Sequence, residues 1–250
     1  MQIDSYSYTN CGGREYNEDA IGERFGKRCA LWLLADGLGG HQGGGQASEC
    51  VVRTFMEAWE QTGAGGVTDW ESWLREQTCR ANNALVELQK ERQGRMKSTV
   101  AALCVERRRA AWTHVGDSRI YRLSNRGIVC LTEDHSVTYK KYKAGEIGRE
   151  DINFDEDRSV LLRALGDWER SIPDSGGTGE GDRLCVGDGF LLCSDGFWEY
   201  LYEEEILADF LKTDNARAWG ELMLLRIMQR IRPDSDNLSL ITVRMQEEAE

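Results

Sequence analysis

Proline and closely spaced cysteine pairs are scarce in this chain of 250 residues. Only two prolines occur, which excludes long proline-rich linkers. The eight cysteines include no C-x-x-C pair, and five lie within or beside apolar runs: Cys29, Cys104, Cys130, Cys185 and Cys193. Free cysteine behaves as a small buried hydrophobic residue. We therefore expect reduced core thiols in a cytosolic protein, and no disulfide framework.

Targeting segments and excess positive charge are also lacking. The segment from Met1 to Asn10 has neither the basic start nor the apolar stretch of a secretory signal. No apolar run approaches the length that spans a membrane. Acidic residues outnumber basic ones by 43 to 31, and the net charge of −12 repels nucleic acid. We expect a soluble, cytoplasmic protein with no membrane span and no nucleic-acid partner.

The hydrophobic pattern predicts strand-rich blocks and helices that come in pairs. Strands are expected at Ala30–Ala35, Ser98–Val105, Ala110–Val115, Arg119–Leu123, Ile128–Leu131, Arg183–Val186, Phe190–Cys193 and Leu238–Met245. Helices are expected at Gln46–Gln61, Trp70–Arg92, Val137–Ala144, Glu203–Lys212 and Ala216–Ile231. Strands joined by short turns form antiparallel hairpins. This order predicts an α+β layered fold, and we expect residues 1–250 to form a single catalytic domain.

Acidic residues recur beside strand ends: Glu18, Asp19, Asp36, Asp117, Asp195 and Asp236. Clustered carboxylates repel one another, so they persist only when they are protonated or bound to cations. Ligation by oxygen alone suits hard ions such as Mg²⁺ or Mn²⁺. The carbonyl of Gly37 could add a ligand, because glycine allows a close approach of the backbone. If the strands share a sheet, the pattern predicts a two-ion site that activates water for attack on phosphorus.

Each of these residues has a purely structural interpretation when it is taken alone. An isolated Asp-Gly is usually a turn, Asp236-Asn237 could be a turn before the last strand, and Glu18-Asp19 could be a solvated loop. The set as a whole, with several members following buried strands, favours the metal site.

The ordered set resembles the type 2C metal-dependent serine/threonine protein phosphatases, most closely their compact bacterial members. The matching segments are Arg14-Glu15-Tyr16-Asn17-Glu18-Asp19, Ala35-Asp36-Gly37-Leu38-Gly39-Gly40-His41, Gly116-Asp117-Ser118-Arg119, Ser194-Asp195-Gly196 and Asp236-Asn237. Weaker matches are Ser98-Thr99-Val100, Thr132-Glu133-Asp134-His135-Ser136 and Leu162-Arg163-Ala164-Leu165-Gly166. They cover nearly the whole chain in family order.

The resemblance implies a fold and a set of roles. The fold is a sandwich of two antiparallel sheets flanked by pairs of helices. Asp36 would bridge two metal ions, with the Gly37 carbonyl on one of them and Asp195 and Asp236 on the other. Glu18 and Asp19 would hold bound waters or orient ligands, and Asp117 would help to hold a third ion.

The resemblance also implies residues that contact the substrate. Arg14 would bind the phosphate, since a guanidinium fork matches two phosphate oxygens; otherwise it is an exposed arginine. His41 is a candidate general acid, or it caps the glycine loop. Residues Asp134 to Asp157 correspond to a flap beside the active site. Its Lys140-Lys141-Tyr142-Lys143 cluster would offer positive charge to a phosphopeptide, or forms a solvated helix face.

The expected activity is hydrolysis of phosphoserine and phosphothreonine in proteins by direct attack of a metal-bound water, with Mn²⁺ or Mg²⁺ as cofactor. The expected partners are phosphoproteins, among them a serine/threonine kinase and its targets. Two alternatives keep the fold: a phosphatase specialised for a phosphorylated anti-sigma-antagonist protein, and a metal-free pseudophosphatase that binds phosphoproteins. A nuclease is disfavoured by the acidic charge, and ATP hydrolysis by the absence of a Gly-Lys-Ser/Thr loop.

Overall fold

Two antiparallel sheets form the centre of the molecule in the computed structural model, which describes residues 1–39, 43–62, 66–167 and 172–248. The first sheet has the order β1 (Gln2–Asn10), β11 (Leu238–Gln246), β10 (Gly189–Cys193), β7 (Arg119–Ser124) and β8 (Gly127–Cys130). The second has the order β2 (Asp19–Phe25), β3 (Cys29–Leu38), β5 (Val100–Glu106), β6 (Arg109–Val115) and β9 (Asp174–Gly177). A short β4 (Lys97–Ser98) pairs with the end of β3.

Helices cover the outer face of each sheet. The second sheet carries α1 (Gly43–Thr62) and α2 (Trp70–Arg92), and the first carries α5 (Glu203–Leu211) and α6 (Ala216–Met228). The short α4 (Asp195–Trp198) directly follows β10. The flap follows β8 and precedes β9 along the chain, and it contains α3 (Val137–Lys143) and a 3-10 helix (Arg149–Phe154). The predicted α+β sandwich with flanking helix pairs is confirmed.

The central strands are apolar throughout because both of their faces are buried. In β3, Leu31 and Leu33 pack against the helices of the second sheet, whereas Trp32 and Leu34 pack against the other sheet. This alternation follows from the two-residue period of a strand. The same division occurs in β10, where Leu191 faces the helices and Phe190 faces the opposite sheet. A continuous apolar run that ends at an aspartate therefore carries that aspartate to the edge of a rigid core.

One predicted strand is wrong, and one observed strand was not predicted. Among the described residues, 183–186 pair with no strand; Leu184 is apolar because it fills the core between the sheets. The strand on that edge is β9, a polar and glycine-rich segment in which the hydrophobic pattern predicts no strand. A Cβ on Gly176 would lie 2.6 Å from the Trp112 ring, so the indole packs on a bare backbone.

The cysteine prediction holds except at one position. All eight cysteines are free, and Cys29, Cys104 and Cys193 are buried. Cys130 is half-buried, but Cys185 is exposed and is not a core thiol, because it belongs to the same unpaired segment as Leu184.

Candidate metal centre

A cleft of about 420 Å³ opens at the end of the sandwich where strand ends from both sheets meet. The residues that line it include most of the predicted set: Arg14, Glu18, Asp36, Gly37, Asp117, Asp195 and Asp236. Asp19 is buried at 8% exposure and lies opposite Asp36 in the pairing of β2 with β3. The structure thus brings acidic residues from separated parts of the chain to one pocket, where the strand-end pattern predicts that they meet.

Each carboxylate is placed by a different structural element. Asp36 ends the buried part of β3, and Asp195 opens α4 at the end of β10. Asp236 lies in the turn before β11, and Asp117 lies in the turn between β6 and β7. The glycine after Asp195 is required by packing, because a Cβ on Gly196 would lie 2.1 Å from the carbonyl oxygen of Asn237. The two acidic turns can therefore lie against each other only with glycine there.

The carboxylates crowd one another strongly enough to change their protonation. Burial, followed by repulsion from Asp19 and Asp195, raises the pKa of Asp36 well above its ordinary value. Burial, followed by repulsion from Asp195, does the same to the pKa of Asp117. The pKa of Asp195 rises to about 6 through burial and the charge of Asp236. The cleft thus disfavours its own negative charge at neutral pH.

Divalent cations fit this arrangement. Among the described residues that line the cleft, Arg14 is the only basic one, so protein groups do not neutralise the carboxylates. One oxygen of Asp19, Oδ1, is buried without a hydrogen-bond partner in the described part of the chain, and burial raises the pKa of Asp19 to about 7. A buried, unpaired carboxylate oxygen is costly unless a cation or ordered water meets it. The donor set is all oxygen, which suits Mg²⁺ or Mn²⁺.

Glu18 and Asp19 differ in how they meet the cleft. The Oε1 atom of Glu18 accepts a hydrogen bond from the Gly44 amide at 3.1 Å, in the first turn of α1. Asp19 lies deeper, and its Oδ2 accepts a hydrogen bond from Ser194 Oγ at 3.0 Å. Both carboxylates are thus oriented by fixed donors, which is what outer ligands of a metal site need.

Arg14 lies at the mouth of the cleft on the loop between β1 and β2. Its Nη2 contacts Asp236 Oδ2 at 2.9 Å, and its side chain is 57% exposed. The guanidinium therefore keeps free donors directed at solvent beside the carboxylates. This position beside the carboxylates is compatible with phosphate binding.

Sequence reasoning missed the part that Asn237 plays in joining the loops. Its Oδ1 accepts a hydrogen bond from the Glu18 amide at 2.7 Å, and its Nδ2 donates to the carbonyls of Cys11 and Tyr16 at 3.0 and 2.9 Å. The side chain thereby fixes the loop that carries Arg14 to the turn that carries Asp236. The Asp-Asn pair was visible in the sequence, but its partners lie more than two hundred positions away.

We expect Asn237→Ala to destabilise the protein by about 2–4 kcal/mol, because three backbone groups lose their partner and two loops lose their connection. Urea unfolding of the metal-free protein measures this free energy. Asn83→Ala is the matched control: Asn83 is exposed on α2, where alanine is a better helix former, so stability should stay equal or rise slightly. Equal stability of the Asn237 variant and the wild type would show that the side chain does not hold the loops.

A buried ion pair supports Asp117 and was also missed. The Nη2 atom of Arg119 contacts Asp134 Oδ2 at 2.7 Å, and the guanidinium stacks 3.5 Å above the ring of Trp198. The indole Nε1 of Trp198 in turn donates to the Asp117 carbonyl at 2.9 Å. Asp134 therefore supports the turn that carries Asp117, through Arg119 and Trp198.

Two histidines near the base of the flap form a second cluster. Ligand atoms of His114, His135 and Asp174 lie within 4.8 Å of one another. However, Arg163 Nη1 lies 3.2 Å from His135 Nε2 and 3.1 Å from Asp174 Oδ1. The guanidinium therefore occupies the position that a metal ion would take between these two ligands. His135 Nδ1 accepts a hydrogen bond from the Gly116 amide at 3.1 Å. This cluster anchors the turn that carries Asp117.

The remaining two predictions concern the glycine loop and the flap. His41 lies outside the described residues. The predicted flap helix is present, but the lysine cluster is directed elsewhere: Lys141 pairs with Asp155 at 3.0 Å, and Lys143 pairs with Glu133 at 2.9 Å. None of these lysines lines the cleft. Two of the three lysines are thus paired with nearby carboxylates, whereas Lys140 is exposed on α3.

Comparison with known proteins agrees with this geometry. A sequence model of the family described as protein phosphatase 2C matches residues 12–219. A serine/threonine phosphatase named stp from Listeria welshimeri is 35% identical over 209 residues, covering 80% of this chain and 79% of that protein. Protein phosphatase PhpP of Streptococcus pneumoniae is 30% identical over 217 residues, covering 86% of each.

Solved structures show the same fold. The serine/threonine phosphatase Stp1 from Staphylococcus aureus superposes with a TM-score of 0.86 at 27% identity, over 99% of this chain and 96% of that one. The catalytic domain of the phosphatase PstP, solved with two manganese ions, has a TM-score of 0.82 at 24% identity, over 98% and 99% of the chains. With a family match over most of its length and relatives at this identity, the chain belongs to the protein phosphatase 2C family of bacterial serine/threonine phosphatases.

Proposed function

We propose that this protein removes phosphate from phosphoserine and phosphothreonine in other proteins, using divalent cations held in the cleft. The observation that supports this most directly is the convergence of Asp36, Asp117, Asp195 and Asp236 on one pocket without enough basic groups to neutralise them. The relatives named as serine/threonine phosphatases support the same activity. A metal-free binding module is not favoured, because it would have no need for these carboxylates.

The ligand assignment is the one that the family resemblance implies, and the crowding of the carboxylates supports it. Asp36 is central, since the charges of Asp19, Asp117, Asp195 and Asp236 all act on it. Asp36, Asp195, Asp236 and the Gly37 carbonyl would together hold the divalent cations. Glu18 and Asp19 would orient the surrounding waters, and Asp117 would contribute to a third ion. When bound, Mn²⁺ or Mg²⁺ would supply a water of lowered pKa and would offset the charge of the phosphate.

The chain itself contributes binding and orientation. Arg14 is the only basic group among the described residues that line the cleft, and its guanidinium would hold two phosphate oxygens. Asp236 orients that guanidinium through the 2.9 Å contact. Among the described residues, no cysteine lines the cleft, so a phosphocysteine intermediate has no nucleophile. We infer a single displacement by water.

The function is tested by turnover of p-nitrophenyl phosphate and of a phosphothreonine peptide, each with Mn²⁺ and with chelator. We expect turnover with Mn²⁺ and loss of activity by at least about a hundredfold with chelator, because an uncompensated cleft repels both the phosphate and the nucleophile. Turnover that persists under chelation would contradict the mechanism. Binding of the peptide without turnover under any divalent ion would favour the pseudophosphatase.

The wider setting is also part of this proposal. No helix among the described residues is long and apolar enough to cross a membrane. The eight free thiols support a cytoplasmic location. We propose that residues 1–250 act as one catalytic domain, and that a serine/threonine kinase and its targets supply the phosphoproteins.

A further inference from the structure

A second cleft, of about 520 Å³, continues from the candidate metal centre and is called the arginine cleft below. It is lined by Phe154 of the flap and Arg158 directly after the flap, by Tyr202 before α5, and by Arg230 and Arg232 after α6. Arg14, Asp195 and Asp236 line both clefts, so the two form one continuous depression. Any chain that places a phosphoresidue in the metal centre can lay its neighbouring residues here.

The basic groups of the arginine cleft are only partly neutralised. Arg230 is held by Glu205 at 2.5 Å, and Arg158 lies 3.5 Å from Glu199. Arg232 is exposed and makes no ion pair or side-chain hydrogen bond within the described part of the chain. Asp234 lies in the same cleft and reduces the positive charge. Because Asp195 and Asp236 face the metal centre, the outer part of the cleft is lined by three arginines, Arg158, Arg230 and Arg232, and by two carboxylates, Glu199 and Asp234.

The walls of the arginine cleft are suited to a peptide more than to a free ion. Phe154 is 70% exposed on one wall and Tyr202 is 57% exposed on the other. Exposed aromatic rings that flank arginines are typical of surfaces that bind polypeptide. The chain as a whole carries a charge of −12, so a local basic groove is a selective feature of its surface.

We propose that the arginine cleft binds the part of a substrate protein next to its phosphoresidue and selects acidic side chains there. This proposal rests on the proposed phosphatase function, and it names the substrate class: phosphoproteins whose phosphoserine or phosphothreonine is flanked on one side by aspartate or glutamate. Arg232 and Arg158 are the residues that determine this specificity. The guanidinium of Arg230 is less available to a substrate, because Glu205 and the Tyr200 carbonyl already accept its hydrogen bonds.

The test compares three phosphothreonine peptides, with neutral flanks, with acidic residues before the phosphothreonine, or with acidic residues after it. One acidic peptide should exceed the neutral one in kcat/KM by about threefold to tenfold at low salt, which is the range expected for exposed ion pairs. The advantage should shrink at about 0.5 M salt because of screening. The double variant Arg158→Gln, Arg232→Gln should reduce the ratio of acidic to neutral peptide to about one.

Arg75→Gln is the matched control, because Arg75 is an exposed arginine of α2 that does not line the cleft; this variant should keep the wild-type ratio. Polarisation anisotropy with fluorescent, non-hydrolysable phosphonate peptides measures the same ratio as binding, so the comparison holds even without turnover. If the wild-type protein hydrolysed none of the three peptides in the presence of Mn²⁺, the proposed function would be contradicted. If it bound all three peptides with equal affinity, the inference about the arginine cleft would be overturned. A preference that survives in the double variant would also overturn it.

Discussion

The variant Asp36→Asn is expected to be inactive and yet, without metal, to melt at a higher temperature than the wild type at about pH 7.5. Asp36 is the carboxylate on which all the other aspartates of the cleft act. Its amide analogue keeps the shape but lacks the negative charge that would hold the cations. Since metal ions supply several kcal/mol of transition-state stabilisation, turnover should fall by about 10³-fold or more. Turnover of the phosphothreonine peptide with Mn²⁺ measures this loss.

The gain in stability has the opposite cause. The pKa of Asp36 is raised in the folded protein, so folding is penalised as the pH rises from the unfolded value of this group towards its folded value. Asparagine removes that penalty. Metal-free Asp36→Asn should therefore melt a few degrees above the wild type at about pH 7.5, and the difference should shrink as the pH falls and vanish below about pH 3, where Asp36 is protonated in both states.

Asp214→Asn serves as the control for Asp36→Asn, because Asp214 is exposed in the turn between α5 and α6. It should change neither turnover nor the pH dependence of melting. If metal-free Asp36→Asn were less stable than the wild type at neutral pH, the electrostatic account of the cleft would be wrong, whatever its effect on turnover.

Mn²⁺ is expected to raise the melting temperature of the wild-type protein by about 5–10 °C at about pH 7.5. A ligand at a hundred times its Kd stabilises the folded state by about 2.7 kcal/mol. A chain of this size gains about 2–4 °C per kcal/mol. Cations bind only the ionised carboxylates, so they compete with protons for the same oxygens.

The pH dependence of this gain can be predicted from Asp19 and Asp195. Their pKa values in the folded, metal-free protein are about 7 and about 6, so both are largely ionised at about pH 7.5 and largely protonated at about pH 5. The gain from Mn²⁺ should therefore be small at about pH 5. Differential scanning fluorimetry with and without chelator measures it, with Asp36→Asn as the variant that should gain least. An equal gain at both pH values would place the cation elsewhere.

The sandwich and the acidic pocket could be predicted because they depend on local patterns. Runs such as the one before Asp36 are apolar at every position since both faces of β3 are buried, and strand ends on neighbouring strands lie close together. Where the pattern was misleading, the packing was not local. Strand β9 contains no apolar residue, and its position is set by the contact of Gly176 with Trp112.

The features that the sequence did not reveal are contacts between distant loops. Asn237 looks like a turn residue until Glu18, Cys11 and Tyr16 are placed around it. Arg230 and Arg232 look like the solvated end of a helix, and only the position of the flap shows that they face a groove. The lysine cluster of the flap was the more obvious candidate in sequence, but Lys141 and Lys143 form ion pairs with Asp155 and Glu133.

The origin of the carboxylates in two separate layers has a mechanical consequence. Asp36 belongs to one sheet, whereas Asp195 and Asp236 belong to the strand ends of the other. Cations shared among them would cross-link the two sheets at one end of the sandwich. Without the ions, hydrogen bonds such as those from Ser194 to Asp19 and from the Glu18 amide to Asn237 would still join the layers, but the like charges would repel one another. The same ions would therefore affect both catalysis and the rigidity of the surface on which a substrate docks.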